Sequence, residues 1–412
     1  MKKIYFFLTF VTNYFLNLYL IIRIIRKKEC PIRYKEKLCQ SLDNRKEGFL
    51  IWFHCSSIGE LKSIFSIIDY YLNNKKNQIL VTTSTLGSNE VFKKKYEKVE
   101  NIIHQYAPFD TPQIVKKFFL KWKPSIIFFT ESEIWPNQIL EAKNKNIPII
   151  LLNGRLSPGS FNRWKLFKDN MKEILNCFNI ILCQSKESKD SFSYFDTNNI
   201  EYIGNLKFVM SKEYESKNSS EINLQRLIFI ALSTHETEEE FCARVHLFLK
   251  EKHPTLLTII IPRHVRRAQQ INDKINKLKL NSIISNSLNT IEKKTDIMII
   301  NTYGITKKFL ELSKYVFIGG SLINRGGQNP IEAAYNNSII FHGPYVYNFK
   351  EIYKLLEELN ISFEIKSEAD LVKILDEKLV NYKNPNTKDS LIKIGDGIFE
   401  KTIRKINKYM NA

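Results

Sequence analysis

Short apolar runs alternate with amphipathic stretches along most of the chain. Five runs in the first half have the length and composition of buried strands, namely residues 48–53, 78–83, 125–129, 147–152 and 179–183. The same pattern restarts in the second half, at residues 227–232, 255–261, 297–301, 315–318 and 338–342. Helix-like segments separate the runs, and this alternation predicts doubly wound parallel sheets of the α/β class.

The domain organisation follows from the length and from one polar interruption. A chain of 412 residues is too long for one ordinary core, so two domains are expected. The polar stretch SKEYESKNSSE breaks the alternation. We therefore predict four parts: an anchor at 1–28, a first Rossmann-like domain at 29–210, a linker at 211–221, and a second Rossmann-like domain at 222–412. Two such domains would face a cleft at the carboxyl ends of their strands, where phosphate-bearing ligands bind.

The N-terminus is almost wholly apolar from residue 4 to residue 25, which is about the length of a membrane-spanning helix. The basic residues at its end are Arg23, Arg26, Lys27, Lys28, Arg33, Lys35 and Lys37. This flank predicts a single N-terminal anchor with the domains on the cytoplasmic side. Asn13 and Asn17 leave open a helix that lies in the interface. No A-x-A-like site follows the run, which disfavours a cleaved signal peptide.

The net charge of +19 favours an anionic partner, which could be nucleic acid, an acidic membrane surface or a phosphorylated substrate. The aromatic residues do not interleave with basic ones as stacking platforms for bases require. We therefore expect no nucleic-acid partner.

The stretch HCSSIGE, residues 54–60, reads as the end of a buried strand, a turn of small residues and the start of a helix. Glu60 would lie in the first helical turn, where a carboxylate often does no more than neutralise the helix dipole. The small residues Ser56, Ser57 and Gly59 would let a ligand approach closely. A general base needs such a setting at a strand end.

Other strand ends in the first half carry charged residues. In TESEIWP (130–136), Glu131 and Glu133 would point the same way, as a functional pair or as a solvated loop. Arg155 in LNGRLSPGSF and Lys207 in IGNLKF follow apolar runs. Loops on this side of an α/β sheet are where cations bind anionic ligands.

In the second half, LSTHETEEE (232–240) predicts a helix start capped by Ser233 or Thr234. Arg263 follows a buried run that ends at Pro262 and could grip a phosphate. The segment FIGGSLINRGGQNPIEAA (317–334) has two Gly-Gly pairs before a helix start, and such turns bind phosphates and sugars through backbone N–H groups. Glu332 could accept from ribose hydroxyls.

The sequence has no metal-ligand cluster, Walker loop or nucleophile elbow. It therefore predicts a reaction without a metal or cofactor, on an anionic substrate that carries a nucleotide. Glycosyl transfer suits a two-domain cleft of this kind.

Ten stretches in this order resemble the 3-deoxy-D-manno-octulosonic acid (Kdo) transferases of lipopolysaccharide synthesis: IWFHCSSIGE, TTSTLGS, YAPFDTP, TESEIWPNQI, NGRLSPGSF, GNLKF, STHETEEE, IPRH, GGSLINRGGQNPIEAA and GPYVYNF. The resemblance covers nearly the full chain. It implies an inverting GT-B glycosyltransferase at the inner membrane. Its partners would be CMP-Kdo as donor, a lipid A precursor (lipid IVA) as acceptor, and inner-membrane lipids.

The resemblance also implies residue roles. Glu60 matches the proton acceptor, and Glu131 and Lys207 match positions that stabilise the transition state. The matching CMP-contacting positions are Pro262, Arg263, Gly304, Ile305, Thr306, Asn329, Pro330, Ile331 and Glu332.

Three positions depart from the family pattern. Gly304-Ile305-Thr306 stands where a Gly-Glu-Leu-like turn is expected, so a nucleotide contact through that acid is in doubt. Gln328 replaces a usual His, and Cys55 and Ser56 lie in a turn that is commonly rich in Ala.

The alternatives are another nucleotide-sugar transferase, an epimerase of the same fold, a basic nucleic-acid-binding protein at the membrane and a catalytically dead relative. The number of Kdo residues added and the oligomeric state are left open by the sequence.

Overall fold

The computed structural model describes residues 2–209, 226–380 and 387–410. The chain divides into two compact units, of which unit 1 comprises Met1–Ser216 and Lys393–Ala412, and unit 2 comprises Lys217–Ile392. Each unit is built on its own parallel sheet.

The N-terminal segment of unit 1 is helical but interrupted. Helices α1 (Lys2–Thr12) and α2 (Leu16–Ile25) are joined by a 3-10 turn at Asn13–Phe15. Within the described residues, the stretch Tyr5–Ile25 is long and apolar enough to cross a membrane by length and composition. Another 3-10 turn, Tyr34–Leu38, leads toward the sheet.

Unit 1 contains seven parallel strands. They are β1 (Phe49–Cys55), β2 (Asn77–Thr83), β3 (Ile102–Tyr106), β4 (Ile126–Thr130), β5 (Ile149–Gly154), β6 (Ile180–Cys183) and β7 (Ile200–Tyr202). The helices between them are α3 (Ile58–Ser63), α4 (Phe65–Leu72), α5 (Leu86–Tyr96), α6 (Pro112–Trp122), α7 (Pro136–Asn144), α8 (Pro158–Lys165), α9 (Lys168–Leu175) and α10 (Lys186–Ser193). The strand order β3-β2-β1-β4-β5-β6-β7 is that of a dinucleotide-binding fold with one added strand.

Unit 2 contains another seven parallel strands. They are β8 (Ile228–Thr234), β9 (Leu257–Pro262), β10 (Ser282–Ile284), β11 (Ile297–Ile299), β12 (Tyr315–Ile318), β13 (Ile339–His342) and β14 (Ser362–Glu364), in the order β10-β11-β9-β8-β12-β13-β14. The helices of unit 2 are α11 (Glu238–Lys250), α12 (Ala268–Asn276), α13 (Thr306–Leu310), α14 (Ile331–Tyr335), α15 (Lys350–Glu358) and α16 (Glu368–Val380). The last helix, α17 (Thr387–Asn407), begins in unit 2 and has most of its residues in unit 1.

The central strands of both sheets are buried on both faces, because helices cover each side of a parallel sheet. In unit 1, Trp52 on β1 packs against Phe118, Phe119 and Phe129 at ring-centroid distances of 4.7–5.7 Å. These contacts lock β1 and β4 to helix α6. The two strands that carry the candidate catalytic acids therefore rest on a rigid aromatic core.

The predicted architecture of two parallel α/β domains is confirmed. All ten predicted strands are present, and they are the interior strands of the two sheets. The prediction missed β3, β7, β10 and β14, which are the four edge strands. Three of these have only three residues, and β3 contains His104 and Gln105, so none presents a long apolar run.

The predicted limits of the second domain need a correction at the C-terminus. The last twenty residues, predicted to belong to residues 222–412, group with unit 1 instead. The Tyr71 hydroxyl donates to Asn407 Oδ1 at 2.9 Å, and Lys405 pairs with Glu201 at 2.6 Å. The predicted linker at 211–221 lies outside the described residues.

Gly204 allows a test of this C-terminal packing. Its φ is +103°, and an added Cβ would lie 2.7 Å from Ile398 Cγ1. We expect Gly204→Ala to lower the free energy of unfolding by about 1–3 kcal/mol, because the side chain strains the backbone and meets Ile398. The measurement is denaturant unfolding.

The control is Gly397→Ala, where an added Cβ has no neighbour within 4 Å and α17 should gain from a better helix former. Equal stabilities for the two variants would contradict the packing of residues 393–410 on unit 1.

Candidate active site

The candidate catalytic acids of unit 1 lie where its strand order reverses. Strands β1 and β4 are neighbours in the sheet, although two strands separate them in sequence. Glu60 follows β1 in the first turn of α3, and Glu131 follows β4 directly. Ligands bind open α/β sheets at this topological switch point.

Glu60 is held by neutral donors from two loops. The Ser56 backbone N–H donates to Oε2 at 2.7 Å, and the Ser57 hydroxyl donates to Oε1 at 3.0 Å. Thr130, the last residue of β4, lies 3.1 Å from Oε2. Ser57 also accepts from the Glu60 backbone N–H as the N-cap of α3, so Ser57 and Glu60 form a variant of the capping box.

The pKa of Glu60 is raised to about 7. Burial is the main cause, the negative charges of Glu131 and Glu133 add to it, and the hydrogen bonds from Ser56 and Ser57 act in the opposite direction. A carboxylate with a pKa near neutrality is a competent general base, since it is partly ionised and still binds a proton well. An added Cβ on Gly59 would meet only Ser57 Oγ, at 3.9 Å, so this side of the turn is open.

Glu131 and Lys207 form an ion pair. Lys207 Nζ lies 2.6 Å from Glu131 Oε1, and both side chains are nearly buried. Glu131 has a φ of +49°, a left-handed conformation that is uncommon for this residue type and typical of functional loops. Asn153 supports the pair, because its Oδ1 accepts from the Leu206 backbone N–H at 2.9 Å. The structure thus brings together the three catalytic residues predicted from the sequence.

Glu133 belongs to a different network from Glu131. Its Oε2 lies 3.0 Å from His54 Nε2 and accepts from the Trp135 indole at 2.7 Å. Burial raises the pKa of Glu133, but the hydrogen bonds and charge of His54 and the other donors outweigh it and leave the pKa lowered. Glu133 is therefore ionised at neutral pH.

His54 lies in the motif HCSSIGE, but the sequence pattern predicts no role for it. Its other nitrogen, Nδ1, lies 2.9 Å from the Thr82 hydroxyl, which accepts from the Trp52 indole at 2.8 Å. This geometry orients the imidazole toward Glu133. Its position at an inward-facing site of β1, beside polar Thr82, is the signal that could have identified it.

Arg155 takes part through its backbone. Its N–H donates to the Glu131 carbonyl at 3.2 Å, and its own carbonyl accepts from the Ser132 hydroxyl at 2.8 Å. The loop after β5 therefore braces the loop that carries the acid pair.

The predicted CMP-contacting residues all lie at or just after the carboxyl ends of strands in unit 2, in the loops there or in the first turns of the helices that follow. Pro262 ends β9 and Arg263 is exposed just after it, while Gly304 to Thr306 follow β11 and residues 329–332 follow β12. Because the strands are parallel, these loops share one edge of the sheet. Asn329 Oδ1 accepts from the Ile331 backbone N–H at 3.1 Å, which shapes the start of α14.

A group of basic side chains gathers at this edge. His235 and His264 have ring centroids 5.8 Å apart. Burial lowers the pKa of His235, and the charges of His264, Arg325, Arg263 and Arg267 lower it further. Such a concentration of positive charge suits a phosphate. The sequence assigned no role to His235 or Arg325, although both lie within quoted motifs.

The helix start in LSTHETEEE is placed differently from the prediction. Helix α11 begins at Glu238, and neither Ser233 nor Thr234 caps it. Instead, Glu238 accepts four backbone N–H groups, from His235 at 2.9 Å, Gly320 at 2.7 Å, Ser321 at 3.0 Å and Leu322 at 3.0 Å. This buried carboxylate ties the loop after β8 to the first Gly-Gly turn.

Comparison with known proteins finds relatives over most of the chain. Residues 32–210 match the family described as 3-deoxy-D-manno-octulosonic-acid transferase (kdotransferase). A 3-deoxy-D-manno-octulosonic acid transferase of Rickettsia bellii is 30% identical over 91% of this chain and 90% of its own. One of Haemophilus influenzae is 27% identical over 85% of this chain and 82% of its own.

Solved structures support the fold. A UDP-GlcNAc 2-epimerase from Neisseria meningitidis bound to UDP-GlcNAc superposes with a TM-score of 0.55 at 12% identity, over 86% of this chain and 100% of that chain. At this identity the likeness shows the fold alone, and it agrees with the predicted GT-B architecture.

The raised pKa of Glu60 predicts a pH-dependent cost to stability. The ordinary pKa is 4.5 and the folded-state pKa is about 7, so the folded chain holds this proton more tightly than the unfolded chain. Above pH 7 the ionised group destabilises the fold by up to about 3 kcal/mol. We expect Glu60→Gln to raise the unfolding midpoint at pH 8.5 and to change it little at pH 5.

Thermal unfolding at the two pH values checks this, with Glu97→Gln on the exposed end of α5 as control. The same change in midpoint at pH 5 and pH 8.5 would contradict the raised pKa.

Proposed function

Since the chain belongs to the family of 3-deoxy-D-manno-octulosonic acid (Kdo) transferases and is a glycosyltransferase, we propose that it transfers Kdo from CMP-Kdo to a lipid A precursor, lipid IVA, with inversion at the anomeric carbon. The observation that carries the proposal is Glu60, a carboxylate with a pKa of about 7 at the switch point of the sheet. No cofactor is required beyond the donor substrate.

In the proposed reaction, Glu60 accepts the proton of an acceptor hydroxyl while that oxygen attacks the anomeric carbon of Kdo. The bond from this carbon to the phosphate oxygen of CMP breaks, and CMP leaves with the electron pair. A single displacement inverts the configuration. Glu60 then releases its proton to solvent and returns to the ionised form.

The remaining groups act through charge. We assign to Glu131 the stabilisation of positive charge that develops on the Kdo ring. We assign to Lys207 the orientation of Glu131 and the stabilisation of negative charge that develops in the transition state. A preorganised pair 2.6 Å apart needs little rearrangement during the reaction, which is the main source of such stabilisation.

We assign CMP binding to Pro262 and Arg263, to the turn 304–306, and to residues 329–332. The basic group around His235 supports this assignment, because CMP leaves as a phosphate monoester dianion. In the turn 304–306 the contacts would come from the backbone, since Ile305 and Thr306 supply no acid, and Gly304 has a φ of +84°.

The proposed location is the inner (cytoplasmic) membrane, with both units on the cytoplasmic side. The apolar stretch Tyr5–Ile25 is compatible with a membrane anchor, and the basic flank favours an anionic lipid surface.

Transfer itself is the first test. Vesicles that contain the protein are incubated with CMP-Kdo, generated in place, and a tetraacylated, bisphosphorylated lipid A precursor, and the lipid is weighed by mass spectrometry. We expect the lipid to gain one or more Kdo masses. In Glu60→Gln the rate of this transfer should fall by about 100-fold or more, the range expected for loss of a general base. CMP binding should be retained.

An unchanged lipid mass with a folded, CMP-binding protein would contradict the proposed acceptor. Full activity in Glu60→Gln would contradict the proposed base.

The pH profile tests the electrostatics of the acid cluster. Activity should rise with pH through the pKa of Glu60, near 7. Because the charge of Glu133 raises this pKa, Glu133→Gln should move the rising limb of kcat/KM to lower pH. An unmoved limb, or one at higher pH, would refute the role of Glu133, and Glu97→Gln serves as the control for a charge lost elsewhere.

A further inference from the structure

The helix α1 lies against unit 1 with its polar side chains inward. Tyr5 donates to Asp110 Oδ2 at 2.8 Å, and Thr9 accepts from Asn137 Nδ2 at 3.1 Å. Four residues further on, Asn13 accepts from the Thr111 hydroxyl at 3.0 Å. Residues spaced by four form one stripe of a helix, so a polar stripe fixes this segment to the domain.

The opposite face of the same segment is apolar and exposed. Val11, Tyr14 and Phe15 are 39%, 71% and 64% exposed. A helix on the surface of a water-soluble domain normally turns its apolar face to the domain and its polar face to water, and here the two faces are exchanged. An exposed apolar surface of this extent marks contact with lipid or with another protein. A helix fixed along the domain in this way places the neighbouring surface of unit 1 at the level of the acyl chains.

A cavity of about 830 Å³ lies between α1 and helices α6, α7 and α9. Its apolar lining includes Phe7, Val115, Leu140, Trp164 and Ile174. Polar side chains on the lining, such as Lys116 and Asn144, are exposed to solvent. The cavity thus combines an apolar interior with a polar margin, as an amphiphilic ligand requires.

A smaller cavity of about 180 Å³, with both apolar and charged residues in its lining, lies on the other side of the start of α7. It is lined by Arg23, Lys37 and His54, among others. Arg23 and Lys37 share one carboxylate, Glu29, at 2.7 and 2.8 Å. Asp110 also borders this cavity, but Tyr5 and the Asn137 and Gln138 backbone N–H groups occupy its oxygens.

The start of α7 joins the two cavities to the acid cluster. Trp135 and Gln138 line the smaller cavity, while Pro136 and Asn137 line the larger one. Pro136 follows Glu133 by three residues, so their Cα atoms are at most about 10 Å apart. A lipid with one phosphate of its head group in the smaller cavity and a chain in the larger one would lie beside the loop that carries Glu133.

We propose that the cavity between α1, α6, α7 and α9 binds an acyl chain of the lipid acceptor, with the acceptor's phosphorylated head group toward Arg23 and Lys37. The proposal rests on the proposed function, because it identifies the occupant as the acceptor and not as bulk membrane lipid. It makes α1 a wall of the acceptor site in addition to a membrane contact.

The kinetic test uses variants whose larger side chains fill the cavity. Asn144→Trp places an indole at its margin, and Leu140→Trp fills its interior. The matched control is Leu120→Trp on α6, which is 56% exposed and does not line the cavity. Thermal unfolding of each variant verifies the fold.

Each full-length variant is assayed in vesicles with the tetraacylated acceptor and, separately, with the same phosphorylated disaccharide after complete deacylation. We expect Asn144→Trp to lower kcat/KM about tenfold for the acylated acceptor, mainly through KM, as for the lost burial of about two methylene groups. The rate with the deacylated acceptor should not change. An equal loss with both acceptors, or no loss with either, would overturn the proposal.

A binding test separates this proposal from the proposed reaction. The tetraacylated acceptor carries a photoreactive diazirine at the end of one acyl chain, and phosphatidylethanolamine with the same group is the comparison. Labelling of α7 or α9 by the acceptor probe, lost in Asn144→Trp, supports the site even if no Kdo is transferred. Equal labelling by both lipids, or labelling only elsewhere, overturns it. Transfer without such labelling leaves the proposed function standing and removes the acyl site.

Discussion

A carboxylate in the first helical turn at the topological switch point of each sheet is the interaction on which both functional loops depend. Glu238 of unit 2 accepts four backbone N–H groups and thereby shapes the Gly-Gly turn. Glu60 of unit 1 occupies the equivalent first turn but accepts one backbone N–H and two hydroxyls. The same position therefore serves two purposes. Glu238, whose oxygens accept four backbone N–H groups, is structural, whereas Glu60, which has fewer strong donors, remains able to accept a proton.

The acid cluster of unit 1 is differentiated by its partners. Glu131 is paired with Lys207, and Glu133 with His54. Within the described part of the chain, the hydrogen-bond partners of Glu60 are neutral. Burial, and after it the charges of Glu131 and Glu133, raise the pKa of Glu60 to about 7, and this is the group proposed as base. Three loops, after β1, β4 and β7, thus bring an ion pair and a carboxylate with a pKa near neutrality together at one edge of the sheet.

The N-terminal segment is tied to the helix that follows the acid cluster. Asp110 accepts from Tyr5 on α1 and from the first turn of α7, so the N-terminal helix and α7 share one buried carboxylate. Burial raises the pKa of Asp110 to about 6, and its three donors keep it in place. The N-terminal helix, whose apolar side chains are unfavourable in water, is in this way fixed to the domain.

The sequence by itself determined the two α/β domains and their ten interior strands, because buried parallel strands read as continuous apolar runs. It also identified Glu60, Glu131 and Lys207 as candidate residues, because the strand-end motifs that contain them are local. Edge strands were missed, since three of them have only three residues and are partly exposed, and β3 is interrupted by the polar residues His104 and Gln105. Only the tertiary structure decided the partners of His54 and Glu238, the return of residues 393–410 to unit 1, and the inward polar stripe of α1. Each of these joins residues far apart in the chain, and periodicity within a short window carries no information about such contacts.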